Sequence, residues 1–287
     1  MIALDGIMMF SQYFYPLLQS DAKGEILLAT SKGIYFRLSD RIFQLTNASI
    51  GTTPVGIGID NVGFLTSIGL KEGQPVHLMN GELRLPGAIV KLHSEEVGTH
   101  ISFSPLLPAL IQRCAQMLHT KSKPRSISSL CAPLIYGATQ IYETTNPVCQ
   151  IAYPLLLELI QAMRTANLEA ITAAVNALIG MGVGLTPSAD DVILGLMYGL
   201  LRLAPYAVST KALTEAVIKY APINTNAISA AYLQAVAEGG EFSRLDNILH
   251  GLSGKIPLDI EPMLEIGSSS GSEMLLGLLI AAKIIYL

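Results

Sequence analysis

The feature that most constrains this chain is a change of hydrophobic period close to Ser104-Pro105. Before it, apolar residues alternate with polar ones in short runs separated by Gly, Asn and Asp, the signature of strands with one buried face. After it they recur every three to four residues, as on the buried stripe of a helix. A single period cannot serve both halves. The expectation is an α+β fold: an N-terminal antiparallel β-rich barrel or sandwich over residues 1–105, then an all-helical C-terminal domain over residues 106–287.

In the first part, Gly24 to Asn47 reads as a hairpin, with strands at Glu25–Thr30 and Ile34–Leu38 around the turn Ser31-Lys-Gly33. Further short strands are expected at Gly56–Ile59, Pro75–Leu78, Asn80–Arg84 and Ala88–Leu92. In the second part, helices are expected at 106–118, 153–163, 168–178, 188–203, 211–219, 226–238, 244–252 and 272–287.

Hydrophobic residues make up 51% and charged residues 14%, with a mean hydropathy of +0.47. So apolar a chain either spans a membrane or hides surface against another protein. A span needs about 18 consecutive apolar residues, and Arg202 and Lys283 interrupt the longest runs. A soluble protein with other subunits, or a homo-oligomer, is therefore expected. The net charge of −4 and pI near 5.7, with no basic run beyond the loop Lys121–Arg125, exclude a nucleic-acid field. Asp5 stands where a secretory leader carries a basic residue, and Cys114, Cys131 and Cys149 form no paired framework. Both point to a cytoplasmic protein with reduced thiols. His77, His93, His100, His119 and His250 show no metal-ligand spacing.

The chemistry concentrates in Gly180-Met-Gly-Val-Gly-Leu-Thr-Pro-Ser-Ala-Asp-Asp191. Its glycines permit positive φ and close approach of a ligand to the amides of Gly182 to Gly184. Thr186-Pro187 reads as an N-cap followed by proline at the first helical position. A helix start of this kind attracts anions. Asp190 and Asp191 sit in that first turn, where they either stabilise the dipole, with Ser188 and Asp191 at capping-box spacing, or serve function. Adjacent helical side chains point about 100° apart, so one of the two faces inward, where it needs a partner such as a Mg²⁺-type ion or a substrate amine. No cofactor is certain; Mg²⁺ bound by Asp190 and Asp191 is the one suggested.

Two further polar segments precede helices: Asn224-Thr-Asn-Ala-Ile-Ser229, with Asn224 and Thr225 as candidate ligand contacts, and Gly267-Ser-Ser-Ser-Gly-Ser-Glu273, with Ser268, Ser269 and Ser270. The last repeats the first at a fixed offset (270 − 188 = 82): Ser188-Ala-Asp-Asp-Val-Ile-Leu-Gly195 echoes Ser270-Gly-Ser-Glu-Met-Leu-Leu-Gly277. Close packing explains the helical glycines but not the polar loops. Thr186, Asp190 and Ser268–Ser270 are accordingly expected to line one pocket.

These segments resemble the AllH-like family, many of whose members have no assigned function and which includes the third subunit of oxamate carbamoyltransferase. The resemblance rests on the G-x-G-x-G-L-T-P-S-x-D-D stretch at Gly180–Asp191, on Thr225–Ser229 and Tyr232–Gly239, and on Gly267–Gly277. Here Ala189, Ser268 and Glu273 stand where the family usually has Gly, His and Asp. The resemblance implies a subunit, or a relative of one, in carbamoyl exchange between carbamoyl phosphate and oxamate. Such chemistry needs donors for an anionic substrate and for a developing oxyanion. Gly182, Gly184, Thr186, Ser188 and the three serines are the candidates to bind it, and Asp190 and Asp191 are the candidate catalytic groups. A non-catalytic small-ligand-binding or scaffolding protein is the alternative.

Overall fold

The computed structural model describes residues 2–4, 9–10, 12–17, 20–60, 62–63, 68–92, 103–123, 126–137 and 146–287. The chain divides into two compact units, Met1–Ile101 with Glu238–Arg244, and Ser102–Ala237 with Leu245–Leu287. The first is built on strands and the second on helices, so the fold is α+β.

The first unit holds β1 (Ile2–Leu4), β2 (Met9–Phe10), β3 (Ala22–Thr30), β4 (Gly33–Leu38), β5 (Arg41–Asn47), β6 (Gly56–Ile59), β7 (Pro75–Met79), β8 (Glu82–Leu85) and β9 (Ala88–Lys91). They form one curled sheet in the order β1-β9-β8-β7-β3-β4-β5-β6-β2. The expected hairpin is present, with Thr30 opposite Gly33 and a bulge between Ile26 and Leu28. Most neighbours are antiparallel, but β5 with β6 and β1 with β9 are parallel. Parallel partners need a return connection rather than a tight turn, and Ala48–Ile50 with the loop behind it carries the chain back between β5 and β6. Phe14 meets Phe43 edge-on at 4.7 Å, and Phe14, Phe36, Phe43, Ile26 and Ile34 are buried.

The second unit contains α1 (Pro108–Lys121), α2 (Cys131–Tyr136), α3 (Pro147–Arg164), α4 (Leu168–Leu178), α5 (Ser188–Leu203), α6 (Val208–Asn224), α7 (Ala227–Ala237), α8 (Ser243–Leu252, which begins within the first unit), α9 (Glu261–Leu264) and α10 (Ser270–Tyr286). Most of α5 and α10 is buried on every side, as expected for helices apolar all round. Among the described residues no helix is long and apolar enough to cross a membrane.

Glycine sets the spacing of this pair. A Cβ on Gly195 would collide with the Met274 carbonyl, one on Gly277 with the Val192 carbonyl, and Gly199 lies against Ala281. Partners rise together along both helices at offsets around the 82 of the repeat (277 − 195 = 82), so the helices run parallel with their N-termini at the same end. At an ordinary helical position Gly→Ala gains up to about 1 kcal/mol in propensity. At these two the added carbon meets backbone, which cannot swing aside. Gly195→Ala and Gly277→Ala should each lose about 1 to 3 kcal/mol in urea unfolding; a gain in stability would show that the helices are not in contact there.

Candidate functional site

After α4 the chain turns through three glycines with positive φ, Gly180 at 87°, Gly182 at 122° and Gly184 at 105°. Side chains would be blocked as well as strained. A Cβ on Gly180 would strike the Asn224 carbonyl, and one on Gly182 would lie 2.5 Å from the Ser188 nitrogen. The loop folds back over the start of α5, where the Ala189 amide donates to the Met181 carbonyl (3.0 Å). Pro187, not Thr186, occupies the cap position, and its carbonyl accepts from the amides of Asp190 (2.9 Å) and Asp191 (3.2 Å). No side-chain cap forms, so the Thr186 cap and the Ser188–Asp191 capping box expected from spacing are both corrected. Extended Pro187 (φ −54°, ψ 143°) can cap through its carbonyl alone, which frees the Thr186 hydroxyl for another partner.

Asp190 and Asp191 are each 1% exposed, and they serve different neighbours. Asp190 accepts from the Gly180 amide at 2.6 Å, the Thr225 hydroxyl at 2.5 Å and the Ser229 hydroxyl at 2.6 Å. It thereby ties the glycine turn to the end of α6 and the start of α7. Burial raises its pKa, and these three bonds pull the other way. Three of the roughly four lone-pair positions of the carboxylate are thus taken by donors within the fold.

Asp191 faces α10. The Thr186 hydroxyl donates to its Oδ2 at 3.0 Å and lies 3.1 Å from the Ser270 hydroxyl. Glu273, also 1% exposed, accepts from the Ser126 hydroxyl at 2.9 Å and the Ile127 amide at 3.3 Å. Burial, then the nearby charge of Glu273, hold the Asp191 pKa well above the usual carboxylate range, against the hydrogen bonds from Ser270 and Thr186. The two acids occupy equivalent places in the repeat (273 − 191 = 82). Each lies in the first turn of its helix, where the positive dipole end favours negative charge.

The two helix starts therefore meet, and Asp191 rather than Asp190 is the acid that faces Ser270. The half-buried hydroxyls of Thr186, Ser269 and Ser270 and exposed Ser268 surround this point, and the Lys123 ammonium donates to the Ser268 carbonyl. Ser188 is half-buried at the start of α5. Gly182 and Gly184 belong to the turn, with Gly184 exposed. Asn224 is committed elsewhere, its amide donating to the Asn176 carbonyl (3.0 Å) and side-chain oxygen (2.9 Å), and Thr225 is taken by Asp190. The cap of α7 is Asn226, which accepts from the amides of Ile228 and Ser229.

Glu273, Ser126 and Ser229 were not among the expected site residues. The 82-residue repeat could have found Glu273, and Ser229 follows Thr225 by one helical turn (229 − 225 = 4). Ser126 had no signal. Among the described residues no group of three or more His, Cys, Asp or Glu is placed to hold a metal; His93 and His100 lie outside the described residues.

The arrangement defines a class: an α+β protein whose buried acids sit at the paired starts of two parallel helices, beneath a rim of hydroxyls. Residues 178–282 match the family described as oxamate carbamoyltransferase subunit AllH, in support of an AllH-like assignment. The matched stretch runs from the last residue of α4 into α10, so it contains Asp190, Asp191, Glu273 and the serine loop. No solved structure matches the chain.

The two acids should separate on substitution. Asp190→Ala leaves three donors without their acceptor, at about 1 to 3 kcal/mol for a buried unsatisfied group, so urea unfolding should show a loss of at least that size. Asp191 has a folded pKa raised above its unfolded value near 3.8. Its contribution is complete below the unfolded value and is lost as pH rises through the folded one. Relative to Asp191→Asn, the parent should lose melting temperature as pH rises above the unfolded value near 3.8; parallel melting curves would show that Asp191 does not carry the shift.

Proposed function

We propose that this chain is a subunit, or a relative of a subunit, of an oxamate carbamoyltransferase-type enzyme, and that it binds a small anionic substrate at the rim over α5 and α10. One observation carries the reading: Thr186 and Ser270, from opposite ends of the family-matched stretch, lie 3.1 Å apart. Two parallel helices add their positive ends at that point, which favours a carboxylate or phosphate. Hydroxyls on the rim supply donors for an anionic ligand and for charge developing on a carbamoyl oxygen. Asp191, with its raised pKa, holds a proton more readily than an ordinary carboxyl and is the candidate acid–base group. Mg²⁺ enters this reading only together with a phosphate-bearing substrate, because Asp190 is committed to three donors.

Partner subunits are part of the proposal. The matched family is named for a subunit, and exposed Val183 (86%) and Leu185 (41%) precede Thr186 on the glycine turn. Such apolar surface suits a protein neighbour at the mouth of a site. We place the assembly in the cytoplasm, consistent with buried Cys114, Cys131 and Cys149 forming no disulfide.

Titration calorimetry with oxamate and with carbamoyl phosphate tests the reading, with and without Mg²⁺. Thr186→Val and Ser270→Ala should weaken binding by about tenfold each, as for the loss of a hydrogen bond to a charged group. Turnover should appear only when partner subunits are added. Binding without turnover in any combination would favour a ligand-binding protein, and no binding of either compound would overturn the site.

A further inference from the structure

A second polar surface shares no residue with the rim. α1 and α2 border a groove of about 500 Å³, a size that accommodates a small ligand. Arg113, Gln116 and His119 line it from α1, with Ala109 and Ala132 as small residues and Tyr136 at the end of α2. The Tyr136 hydroxyl donates to the Gln112 carbonyl at 2.5 Å, which fixes the ring as one side of the groove. Among the described residues no acid lines it, although the protein carries a net charge of −4.

Arg113 is the unusual member. The other described arginines all have acceptors: Arg37 has Glu25, Arg41 has Glu238, Arg84 has Glu82, Arg202 has Asp246, Arg164 has the Lys283 carbonyl and Arg244 has the Ile50 carbonyl. Among the described residues Arg113 has no ion pair or hydrogen bond, and the Gln116 side chain is likewise uncommitted. Guanidinium presents a planar fork that matches a carboxylate, and a carboxamide beside it can donate or accept. Alanines leave space for a flat body, and a fixed tyrosine ring gives it an edge to rest against.

We propose that the groove between α1 and α2 binds a small planar carboxylate, with Arg113 as the residue that pairs with it. The site is independent of Thr186 and Ser270 and does not rest on the carbamoyltransferase reading. Calorimetry with benzoate as the probe, on the full chain, should show one saturable site that survives Thr186→Val and Ser270→Ala. Arg113→Gln, at an exposed position where folding is not at stake, should weaken benzoate by about tenfold or more, and Arg113→Lys should restore only part of it, since lysine keeps the charge without the fork. Inorganic phosphate, which is not planar, should bind more weakly than benzoate. No saturable binding by the parent, equal binding by Arg113→Gln, or phosphate binding as tightly as benzoate would each overturn the proposal.

Discussion

The close crossing of α5 and α10 sets the terms for the rest of the helical unit. Gly195 and Gly277 let two backbones touch where a single added carbon would force them apart. The pair is parallel, so two helix dipoles point the same way at short range, an arrangement that is unfavourable on its own. An acidic side chain stands in each first turn, Asp191 and Glu273, where negative charge is favoured. The glycines and the acids thus meet at one place: the close crossing brings Asp191 and Glu273 together, and burial with their mutual repulsion raises the Asp191 pKa.

The neighbouring acids Asp190 and Asp191 differ in role. Asp190 points away from α10 and gathers three donors from three segments, so its charge is spread over hydrogen bonds within the fold. Asp191 points at the crossing and shares its surroundings with a second acid. The first is committed to holding the glycine turn. The second has its pKa raised well above the usual carboxylate range by burial and by Glu273.

The two central helices were legible because an unbroken apolar run bounded by polar loops has few other outcomes, and the 82-residue repeat set Asp191 level with Glu273 although the expected pocket named Asp190 instead. What escaped the sequence was set by distance along the chain. Asp190 finds Thr225 and Ser229 35 and 39 residues away, and Glu273 finds Ser126 147 residues away, separations that no local period reports. Thr186 was misassigned as a cap because Ser/Thr before Pro fits that rule, whereas the carbonyl of Pro187 caps instead. α2 and α9, six and four residues long, are too short to show a helical period. The parallel edges of the sheet depend on how connections return, which alternation does not encode.

The short stretch Glu238–Arg244 has a consequence for the order in which the protein is made. It is part of the strand-built unit, where the Ser243 amide donates to the Thr52 carbonyl, Arg244 to the Ile50 carbonyl and Glu238 pairs with Arg41. Synthesis proceeds from the N-terminus, so the nine strands leave the ribosome long before these partners exist. The sheet lacks these contacts through the synthesis of α1 to α7. The contacts of Thr52, Ile50 and Arg41 with this stretch can form only once Arg244 has emerged, so the first unit to be translated gains its last partners late.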